Sequence, residues 1–236
     1  MNGNKLANIN ENLIYKYLYG SETLRYWQHH HDVPMNNPSF EVDWEPARLA
    51  LNRLSIGIRR FFWKFSTGQI GNRHMLRHQG EIESPRCLNC DHPVEKSLHV
   101  LQCANEATKL HFESLVKTKL DLTLTEQKTD PNLHKAILEI LCKVRKGDNI
   151  SLNDYPQDHG LRDAIQEQEE NLKWYHFMLG RRSPKWKDVQ QRYLTSIKSK
   201  RSSLRWYTAI IHKLMLVVWD IWQYRNQLVF GDNGEL

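Results

Sequence analysis

Residues 87–103 read CLNCDHPVEKSLHVLQC and place three of the chain's four cysteines within seventeen positions. The spacing is Cys87-x2-Cys90-x8-His99-x3-Cys103. Zn²⁺ takes four sulfur or nitrogen ligands at tetrahedral corners. A C-x2-C pair on a tight turn supplies two sulfurs. His99 and Cys103 are four apart, so on a helix they share one face one turn apart. Asp91 and Pro93 suit the turn after the first pair, and Ser97 is placed to cap the helix carrying the second. A thioredoxin-type C-x-x-C requires a βαβ setting that this sequence does not provide. Four ligands leave no open position, so the expected role of one Zn²⁺ is structural. His92 competes with His99 for the fourth place, but Cys90-x-His92 is a cramped pair. Cys142, in AILEILCKV, falls on the apolar side of a helix as an inert thiol.

Outward from this segment the pattern is helical. A long helix is expected from Pro46, with Leu51, Leu54, Ile58, Phe61 or Phe62, and Phe65 stepping by three and four. A short turn covers 72–78. Beyond Cys103 a helix is expected to Lys119, then a connector, DLTLTEQKT (121–129). Asp130-Pro131 opens a helix that Gly147 closes. The acidic stretch 148–170 begins as loop and ends as helix. Helices follow over 171–179, 184–199 and 202–230, the last with Trp206, Ile210, Leu214, Val217 and Ile221 at helical spacing. Strand-like alternation is scarce. The expectation is a mainly α multi-helix domain over 44–236, with a Cys-Cys-His-Cys zinc knuckle at 80–110. An N-terminal helix (10–19) and a loop (29–40) precede it over 1–43. The histidine run 29–31 reads as part of that loop, because three consecutive residues cannot converge on one ion.

Eight Trp, nine Tyr and seven Phe in 236 residues make a core feasible. No apolar run is long enough for a membrane span, and no secretory pattern opens the chain, so an intracellular protein is expected. The net charge is +6, unevenly spread. Leu49 to Gln79 holds Arg53, Arg59, Arg60, Lys64, Arg73 and Arg77 and no acid. Arg181 to Arg205 holds Arg181, Arg182, Lys185, Lys187, Arg192, Lys198, Lys200, Arg201 and Arg205 against Asp188. Between them, 154–170 carries six acids and only Arg162. Blocks of one sign point to a polyanion partner. The candidate contacts are Arg53, Arg59, Arg60, Lys64, Arg73, Arg77, Arg181, Arg182, Lys185, Lys200, Arg201 and Arg205. Trp63 joins Arg59, Arg60 and Lys64 as a face able to grip phosphates and stack bases. The competing reading is internal pairing with the acidic stretch.

Three segments carry a family resemblance: RFFWKFSTGQIGNRHMLRHQG (60–80), CLNC with EKSLHVLQC (87–90 and 95–103), and WDIWQYRNQLVF (219–230). Together they resemble the C-terminal region of non-LTR retroelement reverse transcriptases, in the versions found in diatoms, algae and plants. The likeness runs from about Trp44 to Phe230. It implies zinc held by Cys87, Cys90, His99 and Cys103 and a role with RNA or DNA. The polymerase is missing, with no Y-x-D-D and no Asp-Asp pair, and there is no strand-rich segment for an RNase H acid cluster. Asp154, Asp158 and Asp163 offer a nuclease carboxylates, but no strands to fix them. The expected function is therefore non-catalytic: a retroelement-derived, zinc-binding domain that binds nucleic acid, with no small-molecule substrate. The alternative is a helical protein-interaction scaffold with a structural zinc. Within WDIWQYRNQLVF, Trp219 and Trp222 are expected in the core, and Arg225 on carbonyls of a neighbouring segment.

Overall fold

The computed structural model describes residues 25–26, 28–29, 42–157 and 160–231. Asp158 and the expectations for 10–19 and 30–40 lie outside these residues. His29 is exposed, with helical backbone. Among the described residues there is no strand, and the mainly α class holds.

The helices are α1 (Trp44–Asn52), α2 (Ile56–Ser66), α3 (Arg73–His78), α4 (Ser97–Gln102) and α5 (Glu106–Leu115). A π-helical turn (Val116–Asp121) leads into α6 (Leu122–Glu126). Then come α7 (Pro131–Lys146), a 3₁₀ turn (Leu152–Asp154), α8 (Leu161–Asn171), α9 (Lys173–Met178), α10 (Lys185–Ser196) and α11 (Ser203–Phe230).

The spine is α11, 28 residues and so about 42 Å long. Trp206, Tyr207, Ile210, Ile211, Leu214, Met215, Val217, Val218 and Ile221 are buried along it. It is packed by α1, α4, α5, the π-helical turn, α6, α9 and α10. A helix apolar over most of its circumference must be covered on several sides, and this one is. On α7, Leu133, Ile137, Ile140, Leu141 and Val144 bury a single stripe.

Local capping explains the boundaries that matched. Asp130 accepts from Leu133 N (2.9 Å), Pro131 stands in the first turn, and Gly147 ends α7 with φ 76°. Two expectations fail. The helix from Pro46 is broken after Asn52: Ser55 turns extended and caps a new helix, its hydroxyl accepting from Ile58 N at 3.4 Å. The segment 121–129 is not a plain connector, since it stays helical to Glu126. Leu120 and Leu124 are fully buried there, and that burial outweighs the weak helix propensity of the threonines. Among the described residues, no helix is long and apolar enough to cross a membrane.

Candidate metal centre

Two short elements carry the four ligands. After Pro85 the chain turns back on itself: Cys87 N donates to His92 O (2.9 Å) and Asp91 N to Cys87 O (3.1 Å). Asp91 takes φ 58°, a left-handed conformation that Asp tolerates better than most residues. This turn presents Cys87 and Cys90. Helix α4 then presents His99, and Cys103 follows at its C-terminal boundary. Ser97 does not cap α4; it is the first helical residue, and its hydroxyl accepts from Asn72 Nδ2 at 3.3 Å.

Cys87, Cys90, His99 and Cys103 converge, with all four ligand atoms within 4.8 Å of one another. No other such group of three or more metal-binding side chains occurs among the described residues. Cys87 Sγ lies 3.9 Å from Cys103 Sγ, and Cys90 Sγ 3.4 Å from His99 Nε2. A tetrahedron with Zn–S near 2.3 Å and Zn–N near 2.0–2.1 Å has edges of about 3.8 Å (S to S) and about 3.6 Å (S to N). These two edges match, and the quartet could hold one metal ion. Cys87 and Cys103 are buried, whereas Cys90 and His99 are half-buried and edge a shallow groove with His92 and Lys146. His92 is not in the quartet. It stacks on His99 at 4.3 Å, and its Nδ1 lies 3.0 Å from Val94 O.

The hydrogen bond to Cys103, with burial, pushes the Cys87 thiol up to about 12, while the same bond holds Cys103 below its ordinary range. A divalent cation held by the quartet would keep Cys87, Cys90 and Cys103 as thiolates. Three thiolates around a divalent ion leave one net negative charge, and a buried cation stands beside it. Arg145, near the C-terminal end of α7, is buried and donates to Cys103 O. Burial lowers its pKa, and the charges of Cys103 and Cys90 oppose that shift. Arg145 escaped the sequence reading, although it lies four residues beyond Leu141, on the apolar side of α7.

The knuckle is bound to the helical body by polar links. Gln102 Nε2 donates to Val144 O (2.7 Å), and Asn105, which caps α5 from the knuckle's last position, donates from Nδ2 to Asn89 O within the knuckle (3.0 Å). The strongest link joins two of the motifs quoted above. Glu95 and Arg225, 130 residues apart, form a buried two-point ion pair, Nε to Oε1 at 3.0 Å and Nη2 to Oε2. They are 1% and 2% exposed. Glu95 also accepts from Arg73 N (2.9 Å), and the Arg225 guanidinium lies over the Trp222 and Phe230 rings. The expectation that Arg225 binds carbonyls is therefore corrected: its partner is a carboxylate. Trp219 and Trp222 are half-buried at the rim of the core, against Phe61 at 4.9 and 5.9 Å.

The basic residues sort into two groups. Arg53, Arg59, Arg60, Lys64 and Arg77 are exposed, as are Lys200 and Arg205. Arg73 is half-buried, with Nη2 on Ser84 O (3.1 Å). The second block is largely absorbed. Arg182 has no exposed surface, so it is removed from the surface contacts. Its guanidinium stacks on Phe177, 3.8 Å from the ring centroid, and burial lowers its pKa to about 10. Arg181 is half-buried, 3.1 Å from His176 Nδ1. Lys185 pairs with Glu167 (2.6 Å) and Lys187 with Asp43 (2.7 Å). Arg201 is exposed but donates to Glu126 O. Asp154 pairs with Lys143 (2.7 Å), and Asp163 stands exposed on the first turn of α8. Cys142 is half-buried, its thiol pushed up by burial.

No family model, no curated protein and no solved structure matches the chain.

Proposed function

We propose that the chain is a non-catalytic, zinc-stabilised helical domain that binds RNA or DNA through the basic surface of its first block. The observation that carries the metal half is the convergence of Cys87, Cys90, His99 and Cys103, with ligand atoms within 4.8 Å of one another and two edges close to those of a zinc tetrahedron. A sulfur-rich tetrahedral donor set favours zinc over the harder divalent ions. Four protein ligands close the coordination sphere, which suits a structural ion. The nucleic-acid half rests on the exposed, acid-free block Arg53, Arg59, Arg60, Lys64 and Arg77. Descent from a retroelement reverse transcriptase C-terminal region is supported by the Glu95–Arg225 pair, since the quoted zinc-region and Trp–Arg–Asn motifs meet there.

A scaffold or protein-interaction role is the second reading. It is favoured by the pairing of Lys185 and Lys187 with Glu167 and Asp43, which spends charge internally. Salt separates the two readings. Affinity for mixed-sequence nucleic acid is expected to fall steeply with salt, because phosphate contacts release counterions. Arg59→Glu with Arg60→Glu should weaken binding and flatten that slope, while Lys185→Glu should leave it nearly unchanged. Unchanged affinity in the double variant would remove this face from the interface.

A further inference from the structure

Helix α2 divides its large side chains with unusual sharpness. Phe61, Phe62 and Phe65 are buried, whereas Trp63, between them in sequence, is 68% exposed. Of the large exposed apolar residues described, Trp63 is the most exposed, and Ile56, two turns earlier on the same stripe, is 62% exposed. At 100° per residue, Trp63 points roughly opposite Phe61 and Phe65, with Phe62 about a quarter turn away. Arg59 and Arg60, four and three residues before it, flank that stripe on either side, with Lys64 just beyond Arg60. The described ion pairs involve none of these three cations. The underside of the helix is fixed. Phe61 packs edge-on to Trp219, Phe65 stacks on Tyr175, and the Tyr175 hydroxyl donates to Phe65 O (3.0 Å).

We propose that the outer face of α2 is a platform for single-stranded nucleic acid, with Trp63 stacking a base and Arg59, Arg60 and Lys64 gripping the flanking phosphates. This rests on the nucleic-acid reading above and narrows it to unpaired strands. An acidic protein partner would explain the cations but not the wide bare indole between them. Base stacking uses both, since every base offers a flat face and every nucleotide a negative charge. Duplexes keep their base faces stacked inside, so a surface indole reaches them only after unstacking. The rigid seat of α2 means that little ordering cost is added on binding.

The test uses the full metal-loaded chain and one mixed sequence as single-stranded DNA, single-stranded RNA and duplex DNA. Trp63→Ala should weaken single-strand binding by roughly 5- to 150-fold and leave duplex binding and the melting temperature unchanged. Trp63→Phe should recover part of the loss. Loss confined to the RNA or to the DNA strand would identify which of the two the platform takes. Single-strand binding equal to wild type in Trp63→Ala overturns the platform while nucleic-acid binding stands. An equal loss of binding to poly-glutamate or to anionic vesicles overturns the stacking role in favour of a general polyanion or membrane contact. Failure of the wild-type chain to bind any of the three nucleic acids overturns the underlying reading and the platform with it.

Discussion

The knuckle (residues 80–105) and the helical body (residues 106–230) sit side by side and are held by different physics. The body is an apolar core: α7, α8, α10 and α11 contribute fully buried Leu133, Ile137, Leu161, Trp186 and Leu214. The knuckle buries only Cys87, Glu95, Ser97, Val100, Leu101 and Cys103. Its order comes from Val100 and Leu101, which enter the same apolar core through α4, and from a few backbone turns, the links to Val144 and Arg225, and a four-atom donor set. Distributed dispersion and burial degrade gradually when one part is removed. A structure resting on one ion is lost with the ion. Such contrasting parts of one chain should respond differently to the same disturbance.

The largest expected effect breaks them apart. In isolated zinc-finger peptides, metal binding supplies on the order of 10–16 kcal/mol of folding free energy. Chelation, or Cys90→Ser, should release one equivalent of zinc and lower thermal stability. It should also remove hydrogen-exchange protection from Cys87 N, Asp91 N and Glu95 N. Amides of α7 and of the central turns of α11 should stay protected, because their burial does not depend on the ion. Unchanged metal content in Cys90→Ser would sink the four-ligand assignment. Loss of protection in α7 and α11 at the same chelator concentration would show that the two regions are one cooperative unit.

Legibility in sequence follows the same division between local and distant causes. The quartet was readable because a C-x2-C turn and an i, i+4 pair fix geometry over a few residues. The ends of α7 and α11 were readable because Asp130, Pro131, Gly147 and Ser202 act on their own helix termini. The break at Ser55 was also local, but the apolar steps through Leu54 and Ile58 continue across it and conceal the cap. The helical run to Glu126 was hidden for another reason. The first five residues of DLTLTEQKT, DLTLT (121–125), alternate apolar and polar with strand-like period, and only packing of the π-helical turn and α6 on α11 decides their state. Glu95 with Arg225, and the burial of Arg182 between Phe177 and Tyr207, depend on partners that only the fold brings near. Counting charges over 181–205 therefore overstated that surface, since charge is additive in sequence but exposure is not.

A smaller effect sharpens the contrast at the point where the regions touch. Glu95→Ala leaves Arg225 buried among Trp222 and Phe230 without a carboxylate, and removing one partner of a buried pair costs about 3–5 kcal/mol. The loss should appear as a lower urea midpoint. Replacing both partners, Glu95→Leu with Arg225→Met, should recover part of it by removing the orphaned charge, although Arg73 N still loses its acceptor. One metal per chain should remain bound in Glu95→Ala, since none of the four ligands is touched. Loss of the metal in that variant would mean that the ion pair belongs to the knuckle's own fold and not to its attachment.

The smallest effect tests the body alone. Asp130 caps α7 through Leu133 N, and replacing such a cap by alanine costs about 0.5–2 kcal/mol. The site is buried, so the lost bond leaves Leu133 N without access to water, which places Asp130→Ala toward the upper end of that range. The backbone bond from Asp130 N to Gln190 Oε1 (2.9 Å) survives the substitution, so α10 should stay in place. Urea unfolding followed by circular dichroism should report the loss, with the metal affinity of the knuckle unchanged. The cap lies at the opposite end of α7 from Arg145 and Val144, which touch the knuckle. A weakened metal affinity in Asp130→Ala would therefore mean that α7 transmits disorder along its whole length to the metal centre, and that the body preorganises the site.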